Sequence, residues 1–160
     1  MNPDIQNIQD KTLIGIHLKM NLIENKTRQL WQSFSPRIPE IQNKASTDKY
    51  SLQMYPQGYF KQYNPQSDFI KWAAVEVSQT SHVPPGMKVL TLQGGMYAVF
   101  HYQGTSADRS IFQFIYSKWV PNSKYDLDNR PHFEVLGENY KNNDAASRED
   151  IYIPIIPKSI

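Results

Sequence analysis

Two stretches of helix-spaced apolar residues, each set among strand-like runs, constrain the fold more than any other feature of this sequence. Around "ENKTRQLWQSFSP", Ile23, Thr27, Leu30, Trp31 and Phe34 recur at helical spacing, and Pro36 and Pro39 oppose continuation. In "TSADRSIFQFIYSKWVP", Ile111, Ile115 and Trp119 fall at i, i+4 and i+8, flanked by Phe112 and Tyr116, with Pro121 as the stop. Thr105 or Ser106 reads as its N-cap, and Asp108 falls in the first turn, where negative charge suits the helix dipole. The first helix follows the strand-like "TLIGIHLKM" (12–20) and precedes "YSLQMY" (50–55) and "FIKWAAVEV" (69–77). The second follows "MYAVFHYQG" (96–104) and precedes "HFEVLGE" (132–138) and "EDIYIPII" (149–156). Both halves therefore read β-α-β-β, over 8–78 and 89–157, and 160 residues suit one domain.

Two such units predict an α+β fold: a mainly antiparallel sheet with both helices on one face and a cleft where the units meet. Overlaying the halves sets His17 against His101, "LWQSF" (30–34) against "IYSKW" (115–119), and "SLQMY" (51–55) against "HFEVL" (132–136). Side chains alternate along a strand. Phe133 and Val135 are thus expected under the helix, with Glu134, His132 and Leu136 on the cleft side. In the first unit, Leu52 and Met54 take the helix side, and Gln53 and Tyr55 share the face of Glu134. An acid among apolar neighbours is costly unless something pairs with it. For Glu134 the residues alone leave three options: solvent, an ion pair with Arg130 or Lys124, or a ligand from outside.

Aromatics make up 12% of the chain, with ten tyrosines and three tryptophans, which points to a ring-lined pocket or an aromatic core. Trp31, on a helical stripe, reads as core, whereas Trp119 fits either role. Trp72 shares strand parity with Ala74, whose small side chain either leaves room for a ligand or fits close packing. A desolvated Glu134 with Tyr55 or Tyr116 could also act as a general acid or base, chemistry that looks the same in sequence as cation recognition. No cysteine is present, which excludes disulfides, thiolate zinc sites and a cysteine nucleophile. The four histidines lack metal-ligand spacing, so no metal or other cofactor is expected. "LQGGMY" (92–97) reads as a turn or bulge. The net charge of +2 comes from dispersed Lys and Arg, which argues against specific DNA binding. There is no signal-peptide pattern and no apolar run near the ~20 residues a membrane span needs. A soluble, cytoplasmic protein with no membrane partner is the expectation.

The segments "YAVFHYQG" (97–104), "IYSKWVPNSKYDLDNRPHFEVL" (115–136) and "EDIYIPI" (149–155) resemble the GyrI-like small-molecule-binding domain. That domain also forms the effector-binding part of AraC/Rob-type and BmrR-type transcription regulators. "KTLIGIHLKM", "LWQSF" and "FIKWAAVEV" extend the resemblance through the first half. It implies a cleft between the repeats, ringed by aromatics, with a buried glutamate that answers cationic or amphipathic ligands. Glu134 falls on that glutamate's position, and Trp119 matches the W-x-P block. The ligand-binding set so implied is Glu134, Trp119, Tyr55, Trp72, Tyr116, Gln53 and Leu136. The function implied is a stand-alone protein that senses or sequesters amphipathic or cationic compounds, since the chain has no room for a helix-turn-helix. Two alternatives remain: a hydrolase of small electrophiles with Glu134 as its catalytic group, and a protein-interaction modulator such as a gyrase inhibitor.

Overall fold

The computed structural model describes residues 1–159. Its elements run β1 (Asp4–Ile8), β2 (Lys11–Met20), α1 (Thr27–Phe34), β3 (Lys49–Met54), β4 (Phe69–Glu76) and β5 (Lys88–Leu92). They continue with β6 (Gly95–Gln103), α2 (110–122), β7 (Tyr125–Leu127), β8 (His132–Leu136) and β9 (Arg148–Pro157). Each half contributes β-α-β-β, as β2-α1-β3-β4 and β6-α2-β8-β9; β1, β5 and β7 are additional. All pairings are antiparallel, in the order β1-β6-β9-β8-β3-β4-β2-β5, with β7 added against β9.

That order cannot be flat. β1 and β2 stand six places apart in it, as do β5 and β6, which in a flat sheet is about 29 Å. Yet the chain between Ile8 and Lys11 spans only about 10 Å at full stretch. The sheet must therefore curl until its two ends meet. They meet at Gly94: a Cβ there would lie 2.3 Å from the Ile8 carbonyl oxygen, and its N–H donates to Asp10 Oδ1 at 2.7 Å. Only glycine allows so close an approach.

Curling gives the two faces different cores. One register row reads Ile16–Ala73–Ser51–Glu134–Ile151–Phe100 across β2, β4, β3, β8, β9 and β6. Its apolar ends pack under the helices: Leu30 and Phe34 of α1 join Ile14, Ala73 and Val75, while Ile111 and Ile115 of α2 join Phe100, Ile151 and Ile153. The adjacent row, His17–Trp72–Leu52–Phe133–Tyr152–Val99, points the other way. Its apolar members fill the inside of the curl with Leu13, Leu92 and Tyr97, in a cluster that includes no helix residue among the described residues.

This corrects the expected faces. Phe133, 1% exposed, packs inside the curl against Tyr152 (ring centroids 4.5 Å, 11° between planes), not under a helix. Leu52 and Val135 also face inward, and the helices share a face with Glu134. The overlay of His17 on His101 also shifts. With Gln53 matched to Glu134, the pairings match Lys71 to Ile151, Trp72 to Tyr152 and His17 to Val99.

The second helix begins at Ser110, not after Thr105 or Ser106. Asp108 therefore precedes the helix and does not lie in its first turn, although its Oδ1 accepts the Ser110 N–H at 2.9 Å. A π turn over Ile115–Trp119 follows, and the helix continues through Pro121 to Asn122.

Candidate functional site

Among the described residues, four of the five buried polar side chains are Ser51, Gln53, His132 and Glu134. They form two cross-strand pairs at the centre of the sheet, Ser51 with Glu134 and Gln53 with His132. The two pairs exchange under the pseudo-twofold relation of the repeats. α1 packs over β2 and β4, and α2 packs over β6 and β9. The central strands β3 and β8 therefore lie in the gap between helices, and polar side chains there are not forced into an apolar layer. Above them opens a cleft of about 1020 Å³, walled by α1 on one side and by the start of α2 and the β8–β9 loop on the other.

Glu134 is 7% exposed. With the Gln53 amide oriented so that both of its ends are satisfied, Nε2 donates to Glu134 Oε2 at 3.0 Å and to the His132 carbonyl oxygen at 3.3 Å. Burial pushes the Glu134 carboxyl above its ordinary value, opposed by the charges of Lys71 and Arg109 and by the Gln53 hydrogen bond. Neither cation approaches within ion-pair distance among the described residues. The two partners considered from sequence are engaged elsewhere. Arg130 binds Asp128 at 2.5 Å and the carbonyls of Gly94, Met96 and Ile155, while Lys124 lies over the Tyr125 ring. Glu149, half-buried on β9 at the far wall, is raised to about 7 by burial and by the charge of Glu134.

Beside the cleft, outside its lining residues, lies an aromatic cluster. The β3–β4 connection brings Tyr55, Tyr59 and Phe60 back over His132, and Phe60 stacks on Tyr116 (4.5 Å) and on His132 (5.2 Å). Tyr55 meets His132 edge-on at 4.9 Å. Burial, with the Arg130 charge adding, pushes the His132 imidazole down to about 3. The ring is therefore neutral at pH 7, and its Nδ1 shares a hydrogen bond with the Tyr116 hydroxyl at 2.8 Å. Burial holds the Tyr55 and Tyr116 hydroxyls above their ordinary range, so both stay protonated.

The structure brings some of the expected site residues together and separates others. Glu134, Gln53, Tyr55 and Tyr116 gather at the β3–β8 junction, and Leu136 lines the open end of the cleft. Trp119 packs beneath α2, edge-on to Phe100 and stacked on Tyr125, away from the cleft. Trp72 belongs to the inside of the curl, where it stacks on His17 at 4.6 Å; its strand parity already opposed it to Glu134 once β3 paired with β4. Trp31, expected as core, lines the cleft wall and also touches the α1 core. Sequence reasoning missed the cations Arg28, Lys49, Lys71 and Arg109 that line the same cleft, of which Lys71 and Arg109 act on the acid. For Lys71 a signal existed: it occupies the position opposite Gln53 in the neighbouring strand.

A duplicated β-α-β-β sheet with paired helices and a cleft at the junction is the architecture of GyrI-like effector-binding domains. The chain matches the family described as Cass2, integron-associated effector binding protein, over residues 4–155, and belongs to it. It is 31% identical over 129 residues to the transcriptional regulator BrlR of Pseudomonas aeruginosa, covering 79% of this chain but 45% of that regulator. The fold superimposes on SAV2435, solved bound to tetraphenylphosphonium, with TM-score 0.73 at 19% identity, covering 98% of this chain and 94% of the other. An integron cassette protein from the mobile metagenome of Vibrio cholerae, VCH_CASS2, aligns with TM-score 0.66 at 14% identity over 97% of this chain and 96% of the other. Among the described residues no helix is long and apolar enough to cross a membrane.

Proposed function

We propose that the chain senses or sequesters an amphipathic small molecule in the cleft between the helices, with Glu134 as the polar anchor for a basic group of that ligand. The observation that carries this reading is the state of Glu134: a buried carboxylate with one neutral hydrogen-bond partner, at the part of the sheet that neither helix covers. An acid held this way is poorly compensated in the empty protein and gains most from a partner brought from outside. The rings of Trp31 and Tyr140, which line the cleft, supply apolar surface for the rest of such a molecule. That SAV2435 binds a lipophilic cation supports the assignment without defining the ligand of this chain.

Glu134→Gln tests it, because Gln keeps the shape and removes the charge. With lipophilic amines as probes, calorimetry should show the variant weaker by about 1.5–3 kcal/mol, the range for a hydrogen bond to a charged group, and tetraphenylphosphonium, a cation without an N–H, should weaken in the same direction. Neutral aromatics should bind both proteins alike, and the variant's melting temperature should be equal or higher. An unfolded variant, or unchanged cation affinity, would overturn the assignment of Glu134.

A further inference from the structure

The cleft does not have the charge balance of a simple cation receptor. Arg28, Lys49, Lys71 and Arg109 line it against Glu134 and Glu149. Lys71 rises from β4 beside Gln53, on the cleft face of the sheet, and Arg109 projects from the turn before α2 over the Phe112 ring. Among the described residues neither makes a salt bridge or a side-chain hydrogen bond. Burial pushes the Lys71 ammonium below its ordinary value while Glu134 pulls it up, as expected for an amine in a recess with its counterion held at a distance. By register the Cα atoms of Lys71 and Glu134 stand two strands and two residues apart, about 12 Å. Both side chains line the cleft, and no ion pair joins them among the described residues.

A lone cation in this space would meet Glu134 but also the unpaired charges of Lys71 and Arg109. A lone anion would satisfy those two and leave Glu134 uncompensated. A molecule carrying both signs avoids either cost. We infer that the effector of this cleft is a zwitterionic amphiphile, whose basic group meets Glu134 and whose carboxylate-type group meets Lys71 and Arg109. The inference rests on the cleft reading above and adds an acid-binding half to it.

Three dansyl probes on one five-carbon chain test it: dansylcadaverine, ending in an ammonium; 6-(dansylamino)hexanoate, ending in a carboxylate; and Nε-dansyl-lysine, ending in both. Fluorescence titration of the full chain should show Nε-dansyl-lysine binding at least tenfold tighter than either of the others, the scale of one charge-assisted hydrogen bond. Lys71→Met keeps the aliphatic stem. It should remove that advantage and also tighten dansylcadaverine, a reversal that general damage to the cleft would not produce. Arg109→Gln, at an exposed position, should shift affinities in the same directions by less, and it serves if Lys71→Met fails to fold. Dansylcadaverine binding as tightly as the zwitterion, with neither variant changing the order, overturns the inference and leaves the cleft reading standing. So does saturable binding of tetraphenylphosphonium with none from the three dansyl probes. If tetraphenylphosphonium and all three probes fail to bind, both fall.

Discussion

Glu149→Gln should make the protein more stable at pH 8 and leave it unchanged at pH 4. The Glu149 carboxyl is raised from 4.5 to about 7, chiefly by burial and by the nearby Glu134 charge, with Arg109 and Lys71 opposing. Between those two pH values the folded protein holds a proton that the unfolded chain has released. The unfolded state binds fewer protons there, so stability falls as pH rises through the window. Moving a carboxyl that far corresponds to about 3 kcal/mol at most; the water that a half-buried group keeps reduces this to about 1–2 kcal/mol. Glutamine has nearly the same shape and does not ionise. Below pH 4.5 both side chains are neutral and the two proteins should coincide. Urea unfolding at pH steps from 4 to 8.5 should show the curves separating between pH 4.5 and 7 and staying parallel above. The gap at pH 8 should raise the melting temperature by about 3–6 °C. Parallel curves throughout would refute the argument. A variant less stable at pH 8 would do so more sharply, since the ionised Glu149 would then be held by Arg109 or Lys71 as a stabilising pair.

Three further outcomes follow from the packing. Phe133→Ala empties the centre of the inner core and should cost about 3–5 kcal/mol in urea unfolding, whereas a cost under 1 kcal/mol would mean that the curl is not closed around it. Tyr116→Phe leaves the buried His132 Nδ1 without its hydrogen-bond partner and should cost about 1–3 kcal/mol, with no change in pH dependence between 5 and 8 because His132 stays neutral there. His101, held between Asp150 Oδ1 (2.6 Å) and Asp4 Oδ2 (2.8 Å), has its pKa raised by those hydrogen bonds. Its contribution is therefore present below pH 6.5 and fades as pH rises through the folded value. His101→Gln should lose less than about 1 kcal/mol, visible at pH 5.5 and absent at pH 8.5; an equal loss at both would exclude the charged clamp.

The elements with strong periodicity were legible in the sequence because tertiary packing and local pattern agree there. β2, β3, β4, β6, β8 and β9 and both helices follow from alternation and from apolar spacing. β1 and β5 were not, because edge strands such as "DIQNI" and "KVLTL" show little one-sided burial, and their role appears only when the sheet closes. The inner core was illegible for the same reason. Alternation says that Phe133 and Glu134 point to opposite faces, but not which face the helices cover. In a flat two-layer sheet the apolar face would take the helices; in a curled one both faces carry apolar residues, and only the central polar pairs mark the gap. Trp119 and Trp72 illustrate the limit for the site. A large ring serves a core or a pocket equally well, and only the register separates them. Glu134 was legible because its neighbours made it expensive.

The pseudo-twofold relation also explains why the acid stands where it does. Duplication by itself gives a symmetric floor in which matched positions should carry matched side chains. Walking outward from the β3–β8 junction, the matched pairs are instead Ser51 with His132, Gln53 with Glu134, and Lys71 with Ile151. The fold tolerates an uncharged amide where Glu134 sits and an aliphatic side chain where Lys71 sits, so neither charge is demanded by the sheet. Gln53, the neutral partner in the symmetric arrangement, has become the hydrogen-bond donor that holds Glu134 in place. The two charges occur once each, on different strands, and both face the gap that the helices leave open. Symmetry accounts for the cleft, and its breaking accounts for the polarity within it: an acid on β8 and an amine on β4, both lining the same cleft.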